Sequence, residues 1–278
     1  MTIDEIINKA LEEDLGNGDH TSLATIPSLA QGKAKLLIKE HGIIAGTAIG
    51  KKVFETVDPA TRIHVFIPDG KMVKPGDIVL EVEGSAISIL SAERLALNFM
   101  QRMSGIATYT NKLCTLVQDY NCRLLDTRKT TPLLRELEKY AVKTGGGENH
   151  RMGLYDMIMI KDNHVDFAGG ITNAIQATNK YLIDKSMDLK IEIEVRNFDE
   201  LDQVMGNGGV DRIMLDNFTP EDLKKAVEQI NKQYETEASG GINESNIIQY
   251  AETGVDYISI GALTHQIKSL DMSLLAKF

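Results

Sequence analysis

The sequence predicts a mixed α/β protein in two parts: a small α+β region near the N-terminus, and behind it a longer run of strands alternating with helices. Three observations predict it. Between Gly32 and Glu83 the apolar residues fall in short runs bounded by turns, "AKLLIKE", "GIIAG", "RIHVFI" and "DIVLEVEG", as strands do. After Asn121 apolar strands alternate with amphipathic segments, which implies parallel βα units forming a barrel or a doubly wound sheet. Each strand of that second run also ends in a polar or glycine signature, and a barrel would gather those ends at one mouth.

Composition narrows the function classes. The chain has 278 residues, 42% hydrophobic and 25% charged, which is an ordinary globular balance with enough apolar side chains for a sizeable core. Forty acids against thirty Lys and Arg leave a net charge of -10, which argues against a nucleic-acid partner, since such partners require a net basic face. The opening "MTIDEIINKALEEDLGNGDH" carries acids where a secretory signal carries lysines, and no run approaches the ~20 apolar residues of a membrane helix, so the expected location is cytoplasmic. Cys114 and Cys122, eight positions apart, match neither a CxxC redox motif nor zinc-ligand spacing and are expected to be buried bystanders.

The elements follow in order. Ile6, Ile7, Ala10 and Leu11 stand at helical spacing within residues 4–13, and the two glycines of "EDLGNGDHTS" end that helix. "IPDGKMVKPGDIVLEVEG" has the rhythm of a swinging-arm carrier domain, but the hairpin at Gly84, Ser85 and Ala86 offers no lysine for a lipoyl or biotinyl group, so it reads as scaffold. In "SAERLALNFMQRMSGIATYTNKLCTLVQD", Leu95, Phe99, Met103, Ile106 and Tyr109 repeat every three or four residues, predicting a long buried helix that Gly105 would break. Strands are expected at 123–127, 157–161, 190–195, 212–216, 234–239 and 256–261, with helices in "ITNAIQATNKYLI", "NFDELDQVMG", "TPEDLKKAVEQIN" and "NESNIIQYAETG" between them.

A basic island interrupts the acidic chain. From Arg123 to His164 there are eight Lys/Arg against six Asp/Glu, with two histidines and the run Gly145, Gly146, Gly147, so a small anion is expected to dock there. Arg128 and Arg151 suit bidentate binding of carboxylate or phosphate, Lys129 and Lys161 act as point charges, and His150 and His164 can titrate near neutrality. Arg135, Lys139 and Lys143, interleaved with Glu136 and Glu138, read instead as the solvated face of a helix. Glu194 and Asp216 end neighbouring strands, and the alternation in "IEIEV" turns Glu192 and Glu194 to one side, into a barrel interior. There an acid requires a cation: a bound Mg²⁺, a positively charged transition state, or simply an ion pair with Lys161. "EASGGIN" and "ISIGALTH" look like paired phosphate loops, in which glycine lets the backbone approach and the amides of a following helix bind the anion.

Taken together, "EDLGNGDHTS", "SAERLALNFMQRMSGIAT", "LLDTRKTTPLLRELEKYAVKTGGGENHRMGLYDMIMIKDNH", "IEIEV", "IMLDNF", "EASGGI" and "GVDYISIGALTH" resemble the quinolinate phosphoribosyltransferases, the nicotinate-nucleotide pyrophosphorylases of NAD biosynthesis, in order from about residue 12 to 271. The resemblance implies an N-terminal α/β sandwich domain (1–112, joined by the tail 266–278) and an incomplete, open, TIM-like α/β barrel (113–265). It also implies a homodimer with shared active sites, able to assemble into hexamers. Arg102, reaching into the partner's site, would hold the two carboxylates of quinolinate together with Arg128, His150 and Arg151. Lys129, Lys161 and His164 would surround the pyrophosphate and the reacting centre. Glu194 and Asp216 would lie at the ribose hydroxyls and Mg²⁺, and Ser239, Gly240, Gly241, Gly261 and His265 at the 5-phosphate. The implied reaction joins quinolinate to phosphoribosyl pyrophosphate, giving nicotinate mononucleotide, pyrophosphate and CO₂. A paralogue associated with molybdate transport and a phosphoribosyltransferase for nicotinate share the architecture. Arg102, Arg128 and Arg151 favour a dicarboxylate, because a less charged ring would leave arginines unpartnered at ~1–3 kcal/mol each.

Overall fold

The computed structural model describes residues 1–277, which form two compact units: Met1–Asn111 with Thr130–Gly146 and the segment from Leu263 onward, and Lys112–Lys129 with Gly147–Ala262. The chain runs through α1 (Ile3–Leu15), α2 (His20–Thr25), β1 (Gln31–Ile38), β2 (Gly42–Ile43), α3 (Thr47–Val57), β3 (Arg62–Val65), β4 (Met72–Val73), β5 (Ile78–Ser85) and α4 (Ala86–Leu116). It continues through β6 (Arg123–Leu125), α5 (Arg135–Thr144), β7 (Ile158–Ile160), α6 (Asp162–Ala168), α7 (Ile171–Lys185), β8 (Ile191–Val195) and α8 (Phe198–Asn207). It ends with β9 (Arg212–Asp216), α9 (Pro220–Ile230), β10 (Glu235–Ser239), α10 (Ile247–Ala251), β11 (Tyr257–Ser259), α11 (Ala262–His265) and β12 (Met272–Lys277). No helix among the described residues is long and apolar enough to cross a membrane.

The first unit is built on an antiparallel sheet of order β12-β1-β5-β3. Alternation along β1 buries Ala34, Leu36 and Ile38 on one face. The C-terminal strand pairs with β1 from the far end of the sequence, Leu36 opposite Leu274. Thr2 and Glu5 close a capping box on α1, fixing its first turn. The helix α4 runs through Gly105 without the expected break. Glycine is there for a different reason: a Cβ at 105 would lie 2.2 Å from the Lys268 carbonyl oxygen. Gly105→Ala should therefore cost about 1–3 kcal/mol in denaturant unfolding, as other overpacked sites do, whereas a glycine tolerated only as a kink would be stabilised by the change.

The helix α5 corrects a second expectation. Glu138 and Lys139 are each only 1% exposed, alongside Leu137, Ala141 and Val142, so the solvated face is limited to Glu136, Tyr140 and Lys143. Charge interleaving marked the sequence spacing of a surface helix but not how deeply this one is covered.

The second unit is a parallel sheet of order β6-β11-β10-β9-β8-β7, the sequence order of an α/β barrel left open between β6 and β7. All six expected strands form, and β8 is buried along its whole length, as a strand covered on both faces must be. Its Ile191, Ile193 and Val195 alternate with Glu192 and Glu194. Asn197 caps α8, and Thr219 with Pro220 starts α9. Cys114 and Cys122 are half-buried rather than fully buried, and burial pushes both thiols up to about 11, leaving them protonated at neutral pH.

Candidate active site

At the C-terminal ends of the parallel strands lies a cavity of about 340 Å³, lined by Arg128, Lys129, Arg151, Lys161, Ser239 and Ser259 above a floor that includes His150 and Glu237. Asp126, fully buried after β6, positions one wall. Its carboxylate accepts the His150 amide at 2.9 Å and the Asn149 side chain at 2.6 Å, and Leu125 bridges in parallel to Glu148. The segment 148–150 thus extends the sheet beyond β6 and delivers His150 and Arg151 to the mouth.

Arg151 donates through Nη1 to the Met157 carbonyl at 3.1 Å. Burial first, and the neighbouring Arg128 guanidinium second, pull its pKa below the ordinary arginine value. Two guanidiniums close enough to perturb each other form a seat for an anion with more than one negative oxygen. Across the mouth, Lys161 Nζ lies 2.7 Å from Glu194 Oε2, so the ion-pair alternative for Glu194 is realised. His164 accepts the Lys161 amide through Nδ1 at 3.0 Å and is otherwise exposed, beside a neighbouring groove that Arg151 also lines. Asp216 accepts from the Asn217 side chain at 2.6 Å.

The glycine turn after β10 is held tightly. The Asn217 amide donates to the Ser239 carbonyl at 2.8 Å, Gly240 adopts φ 100°, and a Cβ there would lie 2.2 Å from Asn217 Oδ1. The expected helix behind each phosphate loop takes a different form. α10 starts at Ile247, well past Gly241, and α11, directly behind Gly261, has four residues, so no long helix stands directly behind either loop.

Beneath the mouth, Glu192 and Glu237 point into the interior, both 0% exposed, with His150 Nε2 at 3.0 and 3.3 Å. These three side chains are spaced closely enough to hold a metal ion. However, Arg212 Nη1 already lies 3.1 Å from Glu237 and 4.0 Å from Glu192, supplying a cation of their own chain. Burial, followed by the charge of Glu237, pushes Glu192 up to about 7. His150 Nδ1 accepts the Arg151 amide at 2.7 Å, which puts the ring's first proton at Nε2. The two carboxylates raise the ring's pKa against the opposition of burial, but a second proton could be taken up only at Nδ1, where it would displace the Arg151 amide. Arg212 and Arg123 stack on Tyr257, with guanidinium carbons 4.0 and 4.3 Å from the ring centre, completing a charged layer lower in the interior.

Of the residues singled out in the sequence, Arg128, Lys129, His150, Arg151, Lys161 and Ser239 line the one cavity, and Glu194 is tied to it through Lys161. Arg102 and His265 belong to the first unit. Glu237, Arg212 and Ser259 were missed, although "ETEAS" alternates as "IEIEV" does and so turns Glu235, Glu237 and Ser239 inward.

Comparison with known proteins shows the family to which the chain belongs. Residues 106–275 match the family model described as quinolinate phosphoribosyl transferase, C-terminal domain, and residues 19–104 match its N-terminal domain. A chloroplastic nicotinate-nucleotide pyrophosphorylase [carboxylating] of Oryza sativa subsp. japonica is 45% identical over 97% of this chain and 76% of its own length. A probable nicotinate-nucleotide pyrophosphorylase [carboxylating] of Bacillus subtilis is 40% identical over 99% of this chain and 93% of its own. Among solved structures, the nicotinate-nucleotide pyrophosphorylase from Francisella tularensis superposes with a TM-score of 0.93 at 39% identity, covering 99% of this chain and 96% of that one.

Proposed function

Because the chain belongs to the quinolinate phosphoribosyltransferase family, we propose that the cavity of its second unit is where quinolinate and phosphoribosyl pyrophosphate react. The enzyme is a decarboxylating phosphoribosyltransferase of de novo NAD biosynthesis. The quinolinate nitrogen attacks C1 of the ribose, pyrophosphate leaves, and the ring then loses CO₂ to give nicotinate mononucleotide. The observation that carries the placement is the gathering of Arg128, Lys129, Arg151 and Lys161 around one cavity in a chain of net charge -10.

In this reading Arg128 and Arg151 hold the quinolinate carboxylates, joined by Arg102. His150, with both ring nitrogens engaged inside the protein, serves them by fixing the Arg151 backbone. Lys129, Lys161 and His164 face the pyrophosphate, while Ser239, Gly240, Gly241, Gly261 and His265 receive the 5-phosphate. Ribosyl transfer passes through a cation-like sugar, so the carboxylates of Glu194 and Asp216 lower its energy and the lysines neutralise the leaving group. Decarboxylation follows because the electrons left on the ring sit beside a quaternised nitrogen. Positioning and charge then suffice, without a covalent nucleophile.

Mg²⁺ usually takes one or two carboxylates plus substrate phosphates and keeps several waters. Glu194 and Asp216, at the ends of neighbouring strands, fit that requirement and would hold it. When bound, the ion adds charge neutralisation at the pyrophosphate. The functional unit in this proposal is a cytoplasmic homodimer with shared active sites, able to build hexamers. The test is product release from purified protein given Mg²⁺, phosphoribosyl pyrophosphate and quinolinate, with nicotinate in parallel. We expect equal yields of CO₂ and pyrophosphate from quinolinate and none from nicotinate; well-folded protein silent with quinolinate would transfer the cavity to another substrate.

A further inference from the structure

Arg102 is fixed in place by its own chain. Its Nε donates to Glu138 Oε1 at 2.8 Å, and Nη2 lies 2.6 Å from the same oxygen. Nη2 also donates to the Thr131 hydroxyl at 2.7 Å and to the Thr264 carbonyl at 3.3 Å. Nη1 makes no hydrogen bond among the described residues, and the side chain is 31% exposed. One edge of the guanidinium is thus committed inward, and the Nη1 edge remains open.

The anchor is costly to build. Glu138, on α5, is 1% exposed, and an ionised carboxylate so deep is retained only with close partners. Its first oxygen faces Arg102, and its second accepts the Thr131 amide at 3.1 Å. Glu138 therefore clamps two things at once: the guanidinium of α4 and the threonine run that directly follows Arg128 and Lys129. A free arginine carries rotamer entropy that a ligand must overcome in ordering it. The clamp removes most of that cost before any ligand binds, which is the physical content of preorganisation.

We propose that Glu138, with Thr131, is a positioning residue for quinolinate recognition: it locks Arg102 so that its open Nη1 edge meets a substrate carboxylate. This rests on the reading above that Arg102 binds quinolinate, and it extends that reading to a residue outside the cavity. Asp would be too short to reach both partners, and Gln would keep the shape while losing the charge.

The experiment is steady-state kinetics on the full chain with saturating Mg²⁺, varying each substrate in turn. Glu138→Gln should raise the quinolinate KM roughly 10- to 100-fold, the loss of one charge-assisted contact, with the phosphoribosyl pyrophosphate KM within about twofold. Thr131→Val, which keeps the side chain's shape, should raise the quinolinate KM by roughly three- to tenfold and reads the same clamp if Glu138→Gln does not fold. In an Arg102→Ala background, Glu138→Gln should add less than about twofold, because paired residues are not additive. An undiminished effect of Glu138→Gln in that background would overturn the clamp, as would a quinolinate KM unmoved by both Glu138→Gln and Thr131→Val. If Arg102→Ala alone left the quinolinate KM unchanged, the assignment of Arg102 would fall, and with it the reason for a clamp.

Discussion

Arg212→Met is expected to destabilise the second unit by about 3–5 kcal/mol, because it strips the nearest fixed cation from two carboxylates that solvent cannot reach. Glu192 and Glu237 are both fully buried, and Arg212 stands 4.0 and 3.1 Å from them while also pairing with Glu235 at 3.0 Å. The loss should depend on pH with a definite sign. A carboxyl whose folded pKa is raised contributes stability below its unfolded pKa and loses it as pH rises through the folded one. Glu192 already sits near 7, whereas Glu237 is held below the ordinary carboxylate value, and removing Arg212 pushes both upward. The Glu237 part of the deficit is then present from about pH 5 and the Glu192 part is added as pH rises through 7, so the variant's deficit should be smallest at pH 5 and largest above pH 7. Denaturant unfolding of wild type and variant from pH 5 to pH 8.5 measures it, and a deficit under ~1 kcal/mol at pH 8 would show that His150 alone balances the pair. Adding Glu237→Gln to Arg212→Met should recover part of the loss by removing one of the two stranded charges.

This charged interior serves the mouth above it. A barrel interior filled with aliphatic side chains would be more stable, since buried ion pairs seldom outcompete well-packed hydrophobes. Here the carboxylates hold His150 through Nε2, and His150 holds the Arg151 amide through Nδ1. The orientation of a mouth arginine is thus set from three side chains below.

What the sequence disclosed follows from the range of the forces involved. Strand period and helix period are local, so all six barrel strands and the inward turn of Glu192 and Glu194 were legible in the order of residues alone. Glu237 carried the same period-2 mark and could have been found by applying it to "ETEAS". Gly105 and Glu138 were not legible. The contact that requires glycine at 105 comes from Lys268, and the burial of Glu138 depends on Arg102, 36 positions earlier. Interleaved charges on α5 look the same whether water or another element covers them. In each case the determining partner is distant in sequence, and a single chain read residue by residue carries no mark of it.

Lys161→Ala is expected to lower kcat by about 10²- to 10³-fold, the usual effect of removing one group that neutralises charge developing in a transition state. Lys161 is placed for this: its Nζ reaches over the cavity 2.7 Å from Glu194, partly exposed while its partner is buried. The pair keeps the ammonium from swinging into solvent and holds the Glu194 carboxylate beside it. In the proposed role the interaction grows as the pyrophosphate departs, so kcat should fall further than either KM changes, and a variant that altered KM alone would reassign Lys161 to ground-state binding. Lys161→Arg should recover little, since a planar fork cannot replace a compact point charge in that pair. The same variant tests the shared site. If Arg102 completes a partner's mouth, mixing Lys161→Ala with Arg102→Ala protein leaves one intact site in each mixed dimer. A 1:1 mixture of two-fold symmetric dimers should then regain about a quarter of wild-type activity. Verified subunit exchange with no recovery would confine each active site to a single chain.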